Sequence, residues 1–204
     1  MIPQQLRQKL KSVQYFSKGK RSLVYTAIYK NKKVAVKIKH PKSTAKGRIQ
    51  HEAKILKRIN KDKIGPNILE ASKNYILYEF IDGPFFVDWV KSQKEKEVKK
   101  AIKKILTKCR RLDKLNINKK EFNHPIKHII MSREKEPMFI DFERCHPSKK
   151  PKNLTQFCQF LMSKQFLKYI KLNKKKLIPL LRKYKNDQTE TNFKLILRNI
   201  ISKL

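Results

Sequence analysis

The sequence predicts an α+β chain whose sheet is built early and whose helices are built late. Two observations predict it. Short runs rich in Val, Ile and Tyr alternate with period two over residues 13–38 and return at 67–78, as in half-buried strands. Beyond residue 92 the apolar residues recur at three and four, as in helices that bury one face. The 204 residues suffice for one domain or for two small lobes.

Residues 3–12 suit a short basic helix, and residues 13–16 begin a strand. The turn Ser17-Lys18-Gly19-Lys20-Arg21-Ser22 leads to a second strand over 23–29. A further turn over 30–33 leads to a third strand over 34–38, which completes an antiparallel meander. In that third strand Val34, Val36 and Ile38 share one face, and Ala35 and Lys37 share the other. A small residue and a cation two positions apart suit a nucleotide: a flat base approaches Ala35 while Lys37 reaches the phosphates.

Residues 44–60 follow as a helix with Ile49, Ala53, Leu56 and Ile59 on its stripe, and Glu52 lies on it. Ile64-Gly65-Pro66 breaks the chain before two more strands at 67–70 and 75–78. Phe85, Phe86 and Trp89 pack the opening of the next segment. A long basic helix over 92–115 carries Val98, Ile102, Ile105, Leu106, Cys109 and Leu112 on one stripe. Its other faces hold Lys99, Lys100, Lys103, Lys104, Lys108, Arg110 and Arg111, an ordinary solvated face or the best local candidate for an RNA or acidic-partner surface. A strand over 138–143 delivers Asp141. A helix starts at Asn153 with Leu154, Phe157, Cys158 and Leu161, and helices over 175–184 and 193–204 close the chain.

Composition bounds the partners. The formal net charge is +36, with 42 lysines against 10 arginines. A basic surface attracts RNA or an acidic protein, and a lysine-rich proteome gives the same count. No apolar run is long enough to span a bilayer, and the start lacks the layout of a signal peptide. Cys109, Cys145 and Cys158 show no CxxC spacing, which points to reduced thiols in a cytoplasmic protein. No Cys/His metal cluster is visible.

Taken in order, these pieces resemble the protein-kinase-like superfamily. The 17–22 turn resembles its loop G-x-G-x-x-G-x-V. Val24 takes the valine position, and Ser17, Gly19 and Ser22 take the three glycine positions. The loop brings backbone N–H groups to phosphate oxygens, and Lys20 and Arg21 add charge. Val34-Ala35-Val36-Lys37 resembles V-A-I-K, which implies Lys37 on the α- and β-phosphates and Ala35 over the adenine. Glu52 resembles the helix glutamate that holds that lysine. Glu79-Phe80-Ile81-Asp82-Gly83 resembles the hinge between lobes, with backbone groups of Glu79 and Ile81 offered to the adenine edge.

Asp141-Phe142-Glu143 resembles D-F-G with Glu143 in the glycine's place, which implies Asp141 as the Mg²⁺ ligand. Thirteen residues earlier His128 stands where the family has Asn. Imidazole suits softer metals than Mg²⁺, so His128 is expected on a phosphate or on the catalytic carboxylate. Lys127 is expected at the γ-phosphate and Ile130 beneath the adenine. The family's catalytic Asp is Asn123 here. The nearest carboxylate, Glu121, would replace it through a two-residue insertion, with His124 as the competing base.

The resemblance implies a two-lobed protein-kinase-like fold, with a sheet lobe over 1–79 and a minimal helical lobe over 80–204. Between Phe142 and Asn153 there are only ten residues, too few for a long activation segment. The chain is therefore most similar to the small atypical RIO- and Bud-like kinases of archaea. The implied activity is ATP- and Mg²⁺-dependent phosphotransfer to a protein Ser/Thr hydroxyl, its own included. The alternatives are a kinase-fold ATPase or ATP sensor acting on RNA or a ribonucleoprotein, a non-catalytic RNA-binding pseudokinase, and a small-molecule kinase. The implied partners are ATP, a protein substrate, and RNA or an acidic partner on the lysine-rich surface, with no membrane.

Overall fold

In the computed structural model, which describes residues 2–201, contacts group the chain into two units. The first runs to Ile81 and takes in Ile140–Arg144; the second holds Asp82–Phe139 and the chain from Cys145 onward.

The first unit is a five-stranded antiparallel sheet with two helices. Helix α1 spans Gln4–Arg7, and the strands are β1 (Lys11–Lys18), β2 (Ser22–Tyr29), β3 (Lys32–Lys39), β4 (Ile68–Ala71) and β5 (Tyr75–Glu79). Their order is β1-β2-β3-β5-β4, which puts the lysine strand at the centre. Val34, Val36 and Ile38 pack against Leu6, Leu10, Ala27, Tyr75 and Leu77 on one face. Each such side chain contributes about 1.5–3 kcal/mol by leaving water. The helix expected over 3–12 stops early, because Lys11 already pairs with Ile28 across β1 and β2. Sheet pairing overrides the local helical pattern there, and Leu6 and Leu10 still cover the sheet.

Helix α2 spans Arg48–Ile59 and starts four residues later than expected. Gly47 precedes it at φ +69, a left-handed turn that no helix continues through. Ile49, Glu52, Ala53, Ile55, Leu56 and Ile59 are buried, so the acid sits on the helix's inward stripe.

The second unit contains α3 (Phe86–Trp89), α4 (Glu95–Lys114), α5 (Asn153–Leu161), α6 (Lys174–Asn186) and α7 (Glu190–Ile201). Two small ladders join them: β7 (Ile129–Met131) with β8 (Pro137–Phe139), and β6 (Ile117–Asn118) with β9 (His146–Pro147). Phe86, Phe122, Phe139, Phe157, Phe160 and Phe166 form a connected aromatic core. Trp89 stacks on Phe86 within that core. Gly83 enters the unit where a Cβ would lie 1.8 Å from the Met131 carbonyl oxygen, so only glycine fits.

Three expectations change here. The strand expected over 138–143 ends at Phe139, because Asp141 adopts φ +61 and leaves the extended region. Lys99 and Arg110 do not belong to an open basic face. Lys99 is buried against Glu95 at 3.1 Å, and Arg110 is buried against the Tyr184 hydroxyl at 3.3 Å. The closing helix is described to Ile201, and residues 202–204, with Leu204, lie outside the described residues. All three cysteines are buried. Among the described residues no helix is long and apolar enough to cross a membrane.

Candidate functional site

Three sequence-predicted residues meet in the first unit. Lys37 Nζ lies 2.6 Å from Glu52 Oε2 and 2.9 Å from Asp141 Oδ1. Central strand β3 fixes the lysine between Val24 of β2 and Ile76 of β5. The buried stripe of α2 presents Glu52, and the segment after β8 presents Asp141. Glu52 also accepts the Phe142 N–H on its Oε1 at 3.1 Å, so one carboxylate ties the lysine to the backbone beside Asp141.

The electrostatics follow from burial and charge. Burial alone would push the Lys37 ammonium down, but the Glu52 and Asp141 carboxylates outweigh it and hold the pKa well above the usual range. Lys37 is therefore a permanent cation. Burial raises Glu52, against the pull of Lys37. Tyr78, paired with Ala35 in β5, is also raised by burial and feels all three charges. Asp141 differs from its partners: its side chain is 40% exposed, against 6% for Lys37 and 3% for Glu52. Its positive φ is a strained backbone for any residue but glycine, tolerated best by Asp and Asn.

In the turn before β2, the Gly19 N–H donates to the Ser22 carbonyl at 2.8 Å. Gly19 has no left-handed φ, and a Cβ there would meet Ser22 Oγ at 3.5 Å, an ordinary contact. The fold therefore does not demand this glycine, and a close-approaching ligand would. Ser17 is exposed, Ser22 buried and Val24 half-buried. At the end of β5 the Glu79 N–H donates to the Asn67 carbonyl at 2.9 Å, and its Oε2 accepts from Asn67 Nδ2 at 2.9 Å. Ile81 is half-buried after it. Ala35 is buried, 3% exposed.

The other predicted residues lie in the second unit. Glu121 sits in a short 3₁₀ turn, Lys120–Asn123, with its carboxylate 9% exposed and 3.3 Å from the fully buried Lys119 ammonium. Asn123 and His124 are exposed. The His128 N–H donates to the Pro125 carbonyl at 3.2 Å, and Lys127 is exposed. Ile130 pairs with Met138 across β7 and β8 and bridges to Phe85.

Sequence reasoning did not give a role to Lys119, Tyr78, or the contacts of Arg21 and Arg48 with Glu143. The signal for Lys119 was weak, one lysine among 42. Tyr78 was legible in principle, as the strand residue just before the hinge.

The donor set fits a phosphate-borne Mg²⁺. Among the described residues no group of three His, Cys, Asp or Glu could hold a metal by itself. Mg²⁺ keeps most of its water and commonly takes one or two carboxylates beside substrate phosphates. Asp141 offers such a carboxylate, half open to solvent.

No sequence profile of a known family matches this chain, and no curated protein matches it. Solved structures do: 1497 chains resemble it, so the likeness is to a widely used fold. One is the autoinhibited serine kinase domain of the giant muscle protein titin, at 19% identity and a TM-score of 0.58. The match covers 70% of this chain and 47% of that one, so the chain spans about half that domain's length. At this identity the likeness speaks for architecture: the antiparallel sheet unit and the helical unit are those of a protein-kinase-like fold.

Proposed function

We propose that the chain is an ATP- and Mg²⁺-dependent phosphotransferase acting on a protein Ser/Thr hydroxyl, its own included, of the small atypical RIO- and Bud-like kind. The observation that carries this reading is the buried Lys37, shared between Glu52 and Asp141. A buried, permanently charged lysine held by two carboxylates is costly unless it serves something. In this reading Lys37 lies against the α- and β-phosphates, Glu52 keeps it aimed, and Asp141 holds the metal. Mg²⁺, when bound, neutralises charge on the β- and γ-phosphates.

Ala35, Ile130 and the Glu79 and Ile81 backbone groups take the adenine. Ser17, Gly19, Ser22 and Val24 form the phosphate loop. Lys127 and His128 face the transferred group. Glu121 orients the acceptor hydroxyl and takes its proton. The hydroxyl oxygen bonds to the γ-phosphorus as the bridge to the β-phosphate breaks, and ADP leaves. Catalysis of this type is positional and electrostatic. The three buried thiols suit a cytoplasmic setting.

A second reading has its own observation. Glu121 is nearly enclosed and ion-paired with buried Lys119, a poor starting point for a base. That favours a nucleotide-binding module that hydrolyses or senses ATP, or turns over nothing, with RNA or an acidic protein on its basic surface.

Incubation with γ-labelled ATP and Mg²⁺ separates the readings, run beside Asp141→Ala and Glu121→Ala. Label on the wild-type protein or an added protein substrate, lost in both variants, supports the kinase. Free phosphate without labelled protein moves the assignment to an ATPase. No turnover with intact nucleotide binding removes the enzyme reading.

A further inference from the structure

Glu143 stands where the kinase pattern has glycine, and it is put to use. Its Oε1 lies 3.0 Å from Arg21 Nη1, at the tip of the turn between β1 and β2. Its backbone carbonyl accepts from Arg48 Nη1 at 3.3 Å, at the first residue of α2. The Glu143 side chain is 11% exposed and that of Arg21 32%, so the pair is only partly open to solvent. A charge-assisted bond in that setting is worth more than a surface ion pair. Two residues upstream, Asp141 holds its φ of +61, and one residue upstream the Phe142 N–H is held by Glu52. One five-residue segment, Ile140–Arg144, is thus tied to the glycine-bearing turn, to the start of α2 and to Lys37.

We propose that Glu143 is a positioning residue that clamps the phosphate loop and α2 onto the segment carrying Asp141. Glycine at this place would offer no carboxylate to Arg21. Only ten residues separate Phe142 from Asn153, and the Glu143 contacts to Arg21 and Arg48 hold the start of that stretch. The phosphate end of the nucleotide site is accordingly assembled before nucleotide arrives. This inference rests on the nucleotide-binding reading above. It adds a determinant of ATP affinity, and a specific partner for Arg21.

The test compares Arg21→Ala, Glu143→Gly and the double variant with wild type. Glu143→Ala stands in if the glycine variant does not fold. Two quantities are read: amide hydrogen exchange over residues 17–22 without nucleotide, and KM for ATP against kcat. Each single variant is expected to lose protection over 17–22 and to raise KM about tenfold, with kcat changed much less. The double variant should fall no further than either single one, because the two residues act as one contact. Wild-type protein that fails to bind Mg-ATP overturns the nucleotide reading and the positioning role with it. Wild-type binding with unchanged KM and exchange in Glu143→Gly or Glu143→Ala overturns the clamp alone. Fully additive losses in the double variant do the same.

Discussion

Two of the buried carboxylate clusters, one in each unit, are built on opposite plans. In the helical unit Asp113 is 2% exposed and accepts four hydrogen bonds. Asn153 gives two, from its N–H at 3.1 Å and its Nδ2 at 2.7 Å. The Leu154 N–H and the Tyr184 hydroxyl give the others, at 3.4 and 2.9 Å. Arg110 then supports Tyr184. This cluster caps the start of α5 and pins it to α4 and α6, and it has no open side. In the sheet unit Lys37 and Glu52 are as deeply buried, but Asp141 is left partly open on a strained backbone. Closed and relaxed chemistry belongs to architecture. Chemistry that is buried at one end, open at the other and strained between is what the proposed nucleotide site would need.

The sharpest way to break that contrast is to truncate one member of each cluster. Asp113→Ala leaves the Asn153 and Tyr184 donors without their acceptor inside a core. Loss of about 3–5 kcal/mol is expected, a fall in Tm on the order of 10 °C by thermal denaturation. Lys37→Met should cost less stability, because Glu52, already raised by burial, takes up a proton when its cation is gone. In the labelled-ATP assay the same variant should lose at least about a hundredfold in rate. Equal stability losses in the two variants, with activity surviving Lys37→Met, would make the sheet cluster architectural too.

Sequence pattern reached these two clusters unequally. The alternation over 34–38 put Lys37 and Ala35 on a common face, but Glu52 stood outside the apolar set of Ile49, Ala53, Leu56 and Ile59 and was singled out only by resemblance to a motif. Asp141 was legible only through its resemblance to a motif. The left-handed turn that presents it lies beside contacts to Lys37 and Glu52, distant in sequence. Asp113 was invisible, because an acid four residues after Cys109 on a charged helix looks like any solvated one. Lys99 and Arg110 were misplaced for the same reason: a 3.6-residue period says which side is apolar, not which long cation finds an internal partner. The small ladders of β6 with β9 and β7 with β8, two and three residues long, were too short for any alternation to register.

Proton linkage gives a second, smaller separation. Burial raises the Asp113 carboxyl to about 6, against the hydrogen bonds that favour its charge. The folded state then binds a proton that the unfolded state has released. This contribution is fully present below the unfolded value near 4 and is lost as pH rises through about 6. The loss is on the order of 3 kcal/mol across that window. Urea titrations at pH 4.5 and 7 should show the difference in wild type, and Asp113→Asn should flatten it. A wild-type profile already flat at Asp113 would mean that its four hydrogen bonds outweigh its burial.

The smallest effect, and the one most specific to the sheet cluster, is expected at Asp141. Glycine there relieves the positive φ, which costs a residue with a Cβ about 1 kcal/mol. It also removes one of the two carboxylates that hold Lys37, the more exposed of the pair. A half-open ion pair returns little once solvent screens it, so the two changes should nearly cancel. Asp141→Gly is expected within about 1 kcal/mol of wild type by urea titration while losing metal-dependent ATP turnover. Asp113→Gly offers no such cancellation, because α4 is helical there and four donors lose their acceptor. If Asp141→Gly instead unfolds the sheet unit, Asp141 holds the segment together as Asp113 holds α5. The strain at φ +61 would then be a by-product of packing, without a role in presenting a ligand.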